Sequence, residues 1–266
     1  MNNIPLQGLK NTRDLGGTAV RDGRVVRPRV IIRGAAPAAI TDGDAVILTR
    51  DFDLKTLIDL RTDAEVAERP DRVPDGVDLI RVPLFADEVI GITRDKKSEA
   101  ESASGFRVPG PPDMKTLYRF LVEGDIPVAG LRRVFRIIFD TAASNRGSVL
   151  FHCSVGKDRT GVVAMLALGI LGADEQTIVD DYLYTNVTGE ADAQKYYDIA
   201  FAATGGDLDL SERTRRAFLA VEDYLRGALD AVAGFGGFDA YFTRVLGFGR
   251  GDVDDFRRNM LVDRAM

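Results

Sequence analysis

SVLFHCSVGKDRTGVVAMLALGILG, residues 148–172, is the stretch whose reading decides the fold. Its first part, SVLFHC (148–153), has almost no polar alternation, the mark of a central strand buried on both faces. Its last part, DRTGVVAMLALGILG (158–172), is apolar at most positions and ends on glycine, so it reads as a buried helix capped by Gly172. Between them runs a short loop that starts at Cys153. A strand entering a helix through such a loop offers backbone N–H groups and the positive end of the helix dipole, a setting that favours anions. His152 and Cys153, at the mouth of this loop, are the only histidine and the only cysteine among 266 residues.

Strands and helices alternate on either side. VIIR (30–33), KTLIDL (55–60) and VDLIRVPL (77–84) read as strands, and TDAEVAERP (62–70) as a short capped helix stopped by Pro70. TAVRDGRVV (18–26) reads as a hairpin turning at Asp22-Gly23. Helical periodicity runs through DMKTLYRFLV (113–122) and VAGLRRVFRIIFDTAA (128–143). The expected fold is therefore α/β, with a mainly parallel central sheet flanked by helices. From about residue 174 only helices are expected, SERTRRAFLAVEDYLRGALDAVA (211–233) among them. This helical C-terminal subdomain, 174–266, is a candidate lid over the sheet edge or the site. Residues 86–112 include DKKSEAESASG and VPGPP, polar and aperiodic, and read as a flexible insertion or a second lid. No repeat and no linker divides the chain, so 1–266 is expected to be one domain.

Composition narrows the function. A net charge of −6 without a basic run argues against nucleic acid and against an anionic membrane surface. One cysteine allows no internal disulfide, and one His with one Cys makes no conventional zinc site. VVAMLALGIL (162–171) is too short to span a bilayer. No signal-peptide pattern opens the chain, so the expected location is cytoplasmic, with secretion by a route lacking a classical signal left open. Oligomeric state is not readable.

The loop is not a Walker loop, because Phe151 and Asp158 stand where that motif needs Gly and Ser or Thr. It does carry a thiol at its start and an arginine six positions later. A thiol facing N–H groups and a helix N-terminus loses its proton readily, and the thiolate is a nucleophile toward phosphorus. Arg159 can fork two oxygens of a phosphoryl group. Adjacent strand residues face opposite ways, so His152 is not placed to serve Cys153 as a base. It is expected to pack beneath the loop and donate a hydrogen bond. Asp158 has two readings, an acid for the leaving group or a simple helix N-cap.

HCSVGKDRTG resembles the HC-x5-R signature of cysteine-dependent phosphatases, and more narrowly the atypical bacterial protein tyrosine phosphatases. NTRDLGG (11–17), IIRGAAP (31–37), IDLRTDAEVAERPDRVPDGVD (58–78) and DEQTIVDDYLYTN (174–186) are similar to further segments of that family in the same order. The resemblance implies one phosphatase domain over 1–266 with a tyrosine-phosphatase-like fold. It implies Cys153 as nucleophile, Arg159 as phosphoryl ligand and Asp158 as the acid that later activates water. Ser154, Val155, Gly156, Lys157 and Thr160 would line the substrate, with Lys157 tied to phosphoinositide acceptance. The implied substrates are phosphotyrosine, then phosphoserine, phosphothreonine or phosphoinositides, with no metal and no cofactor. Asp87, Asp113 and Asp125 are rival acids. Arg13 with Asp14 is expected to be a structural pair, Asp59 with Arg61 a salt bridge, and Gly16 and Gly17 a tight turn. Phe85, Met114 and Tyr118 are candidates for the pocket wall, and Met114 and Tyr118, at helical spacing, read equally as core. The competing functions are a catalytically silent phospho-ligand module and a single-Cys sulfurtransferase.

Overall fold

The computed structural model describes residues 2–86, 111–144 and 146–264, without the side chains of 111–113. Most of the segment expected to be an insertion or lid, 87–110, lies outside the described residues, as do Asp87 and the side chain of Asp113. The strands are β1 (Asn2–Asn3), β2 (Arg13–Asp14), β3 (Val25–Val26), β4 (Ile31–Gly34), β5 (Leu54–Asp59), β6 (Asp78–Arg81), β7 (Ser148–His152) and β8 (Leu261–Val262). The helices up to the loop are α1 (Asp42–Val46), α2 (Asp63–Glu68), α3 (Pro111–Glu123) and α4 (Asp125–Ser144). After it come α5 (Asp158–Leu171), α6 (Glu175–Leu183), α7 (Thr185–Ala203), α8 (Leu208–Phe218), α9 (Glu222–Gly234), α10 (Phe238–Ala240) and α11 (Arg250–Met260).

The main sheet has the order β1-β2-β4-β7-β5-β6. β4, β7, β5 and β6 run parallel, and β1 and β2 add an antiparallel edge. The fold is thus α/β with a mostly parallel sheet flanked by helices. β7 is central and every one of its residues is buried, because helices cover both faces. Ile31, Ile58 and Phe151 point into one core with α3, α4, α5 and α9. Ile32, Leu57 and Leu150, one step along each strand, point into a second core with Ile4, Leu9 and Leu48. This period-two division between two dry faces is why 148–153 shows no polar alternation.

Gly34, Asp59 and His152 lie level at the carboxyl ends of three neighbouring strands. The segments that follow them therefore meet at one edge of the sheet, where sites of open α/β folds gather. α2 begins at such an end. Thr62 caps it, its hydroxyl accepting from the Glu65 amide while the Glu65 carboxylate accepts from the Thr62 amide. α5 is buried along nearly its whole length and ends on Gly172 at φ 92°, a left-handed cap.

The hairpin over 18–26 forms as expected: it turns at Asp22-Gly23, with Gly23 at φ 89°, and its arms are joined by the Ala19–Val25 bridge and by bonds from the Val20 amide to the Arg24 carbonyl and from the Val26 amide to the Thr18 carbonyl. Two expectations need correction. β3 also pairs with β8, so the region after 174 is not wholly helical. That last strand is two residues long, below what periodicity can register. The run 211–233 is also not one helix. It breaks at 219–221, where Asn186 donates to the Ala220 carbonyl and accepts from the Ala220 amide. No helix among the described residues is long and apolar enough to cross a membrane.

Candidate active site

The loop 153–157 is held from behind, one carbonyl after another. His152 Nδ1 lies 3.1 Å from the Cys153 carbonyl, and the Ala36 amide donates to the Ser154 carbonyl. Asn11 Nδ2 donates to the carbonyls of Val155 (3.2 Å) and Gly156 (3.0 Å). Arg33 Nη2 also donates to the Gly156 carbonyl at 2.8 Å. In a trans peptide the N–H points opposite the C=O, so each carbonyl drawn outward turns the next N–H inward. The N–H groups of 154–157 therefore point away from these partners, and the loop leads into the start of α5, whose N-terminus carries no side-chain cap.

Asn11 and Arg33 are themselves fixed by a buried ionic cluster. Arg13 Nη1 donates to Asn11 Oδ1 at 2.6 Å and Arg13 Nε to Asp181 Oδ1 at 2.7 Å, while Arg33 pairs with the other oxygen of Asp181. The expected Arg13–Asp14 pair does not form. Neighbours on a strand face opposite ways, and Asp14 accepts from the amides of Gly16 and Arg29 instead.

Gly156 shows how tightly the loop is seated. It has φ 71°, and a Cβ there would lie 2.5 Å from the Gly34 carbonyl oxygen. Gly156→Ala is expected to cost at least ~1–2 kcal/mol from the left-handed backbone alone. A fall in Tm of about 2–8 °C, measured by thermal unfolding, should accompany the loss of loop function.

Cys153 is a free thiol, only 2% exposed, at the carboxyl end of β7. Arg159, in the first turn of α5, is gripped by Glu65 of α2 through two bonds of 2.6 Å, from Nη1 and Nη2. Its Nε and remaining Nη2 hydrogen lie on the other edge of the guanidinium, the edge suited to a phosphoryl group. The guanidinium also stands 5.7 Å from the Phe85 ring centre. Burial alone would lower the Arg159 pKa, but the Glu65 bonds and the charges of Cys153, Glu65 and Asp158 hold it above its usual range. Burial would likewise raise the Glu65 carboxyl, yet Arg159, the Ser154 hydroxyl and the Thr62 amide bring it down to about 2.

The remaining loop residues take different positions. The Ser154 hydroxyl donates to Glu65 at 2.6 Å. The Val155 side chain is exposed, and the Thr160 hydroxyl is buried without a hydrogen-bond partner among the described residues. Lys157 donates to the carbonyls of Ala217 (2.6 Å) and Leu219 (3.3 Å), at the end of α8, and its ammonium lies 3.5 Å from Asp158 Oδ1. Asp158 is the first residue of α5, not its N-cap, which is Lys157. Its carboxylate accepts from the Tyr118 hydroxyl at 2.6 Å. Of the rivals, Asp125 is exposed at the start of α4.

Beneath the loop, His152 is fully buried, with Nε2 3.3 Å from Asp71 Oδ2. Asp59, Asp71 and His152 come close enough to suggest a metal site. Arg61 answers that geometry, because its guanidinium pairs with Asp59 at 2.9 Å and Asp71 at 2.7 Å and supplies the positive charge. The Asp59–Arg61 bridge expected from the sequence is part of this cluster.

Asn11, Arg33, Glu65 and Asp181 are residues around the loop to which the sequence assigned no role there, and Tyr118, read as pocket wall or core, reaches Asp158. Glu65 was visible only as the second half of a capping box. The others sit inside the quoted motifs, where nothing local marks which side chain reaches the loop.

The loop thus sets a buried thiol at one end and a Glu65-braced arginine at the other, at the carboxyl edge of an α/β sheet. The profile of the tyrosine phosphatase family matches residues 4–262, and the chain belongs to that family. It is 33% identical over 198 residues to the triple specificity protein phosphatase PtpB of Mycobacterium tuberculosis, an alignment covering 68% of each chain. It is 29% identical over 244 residues to a putative tyrosine-protein phosphatase of Cupriavidus necator, covering 90% of this chain and 82% of that one. Among solved structures, P. aeruginosa TpbA aligns over 77% of this chain and 96% of its own at 17% identity, with a TM-score of 0.32. A score of that size carries no argument.

Proposed function

We propose that the protein is a cysteine-dependent phosphomonoester hydrolase acting on phosphotyrosine through a phosphocysteine intermediate. The observation that carries this reading is the loop itself: its carbonyls are tied outward, and Cys153 and a Glu65-braced Arg159 stand at its two ends. Membership of a phosphatase family supports it. Phosphoserine, phosphothreonine and phosphoinositides belong to the same proposal, supported by a relative named for triple specificity. The site draws on residues from Asn11 to Leu219, which supports one working domain.

In the first step the Cys153 thiolate attacks phosphorus. The Sγ–P bond forms, the P–O bond to the leaving group breaks, and the departing oxygen takes that electron pair and a proton from Asp158. Arg159 and the loop N–H groups balance charge on the three other oxygens. In the second step water attacks phosphorus and gives a proton to Asp158. The Sγ–P bond breaks, its electron pair returns to sulfur, and inorganic phosphate leaves.

The test is phosphate release, with EDTA present, from a phosphotyrosine peptide and a phosphoinositide panel. Asp158→Asn should lower kcat/KM on the peptide by about 10²–10⁴-fold. Near-normal turnover by that variant would remove Asp158 from the acid role. Binding of phosphoesters with no turnover by the parent protein would make it a silent phospho-ligand module.

A further inference from the structure

Tyr118 is fully buried on α3. Its hydroxyl donates to Asp158 Oδ1 at 2.6 Å and lies 2.7 Å from the hydroxyl of Tyr182, itself buried on α6. A phenol has one proton to donate. Because Tyr118 gives its proton to the Asp158 bond, Tyr182 must be the donor in the other. The chain therefore has one direction, from Tyr182 to Tyr118 to Asp158. Burial first, and then the charge of Asp158, push both phenols well above the ordinary tyrosine range. Each remains a protonated donor at any pH near neutrality.

The consequence falls on the two oxygens of one carboxyl group. Oδ1 is engaged by the Tyr118 hydroxyl and has the Lys157 ammonium 3.5 Å away. Oδ2 is left to carry the proton, on a side chain about a quarter exposed. A phenol that donates to a charged or neutral carboxyl alike holds the group in one rotamer through both steps. Fixed orientation is what a proton transfer needs, since a small misplacement of a catalytic group is costly.

We propose that Tyr118, backed by Tyr182, is a positioning residue for the acid step, holding Asp158 so that Oδ2 faces the leaving oxygen. This rests on the reading of Asp158 as the acid. Tyr182 also follows Asp181, the residue that pairs with Arg13 and Arg33 behind the loop. One short helix thus anchors both the floor of the site and its acid.

A positioning role differs from a structural one in its leaving-group dependence. An acidic phenol such as 4-nitrophenol departs as its anion and needs little protonation, whereas phenol or tyrosine needs the acid. The experiment is kcat/KM for the parent protein, Tyr118→Phe, Tyr182→Phe, Asp158→Asn and the Tyr118→Phe/Asp158→Asn pair over aryl phosphates from 4-nitrophenyl to phenyl. Tyr118→Phe is expected to lose about 3-fold with the first and about 10–100-fold with the last, a share of the general-acid effect. Tyr182→Phe should lose in the same sense and less. In the Asp158→Asn background, Tyr118→Phe should add under about 3-fold, because the two act as a unit. An equal loss at every leaving group, or the full loss persisting in the Asp158→Asn background, would overturn the proposal. A parent protein that turns over none of these esters would overturn the phosphatase reading and this proposal with it. Turnover that is lost in Cys153→Ser but shows a flat Tyr118→Phe profile would overturn this proposal alone.

Discussion

Cys153→Ser is expected to reduce phosphate release by about 10⁴-fold or more, while phosphate or vanadate still binds. The change replaces one atom in a buried side chain at the end of a fully buried strand, so the loop has no reason to move. A neutral serine hydroxyl is a weak nucleophile beside a thiolate, and no second thiol is at hand: the chain has no other cysteine, and its one histidine lies beneath the loop. The groups proposed to bind the anion are untouched, because Arg159 is braced by Glu65 and the loop carbonyls are held by Asn11 and Arg33. Phosphate release and vanadate binding, measured on the same preparations, check both halves. Retained turnover would reject the phosphocysteine, and lost vanadate binding would mean the loop had collapsed.

The second large effect is on stability. Asp181→Ala is expected to cost about 3–5 kcal/mol, read as a fall in the urea midpoint. Asp181 is buried and is, among the described residues, the one carboxylate bonded to both Arg13 and Arg33. Removing it leaves two guanidinium groups facing each other in a dry interior. Burial and then Arg33 already hold Arg13 down to about 10, with Asp181 acting to raise it. Burial alone would raise the Asp181 carboxyl, but the two arginines keep it below the ordinary carboxylate range. A depressed folded-state pKa contributes stability above the unfolded value of about 3.9, lost as pH falls through the folded one. Parent and variant should therefore differ most near neutrality and converge in strong acid. Activity should fall in step, since Asn11 and Arg33 orient the loop carbonyls. A Cys153→Ser protein that unfolds like the parent would separate the two roles.

The elements proposed to carry the chemistry were legible from the sequence because each is written in contiguous residues. The apolar run 148–152 makes a two-sided buried strand, Gly172 ends the helix, and Cys153 and Arg159 stand six positions apart on one loop. Thr62 and Glu65 announced a capped helix in the same way. What escaped was short or remote. β8 has two residues, and the break at 219–221 lies inside an unbroken helical pattern. The pairing of Arg13 was misassigned because sequence adjacency suggested Asp14, while strand geometry sends the two side chains apart.

By itself the sequence determined the α/β class, the strand–loop–helix with its nucleophile candidate, and the family, all of which rest on local periodicity and fixed spacing. Tertiary structure alone decided what holds those groups in place. Glu65 meets Arg159 across 94 residues, Tyr118 meets Asp158 across 40, Lys157 meets Ala217 across 60, and Arg13 meets Asp181 across 168. A hydrogen bond requires two atoms within about 3 Å of each other. Chain order does not encode that distance; the sheet does, by bringing the ends of β4, β5 and β7 level.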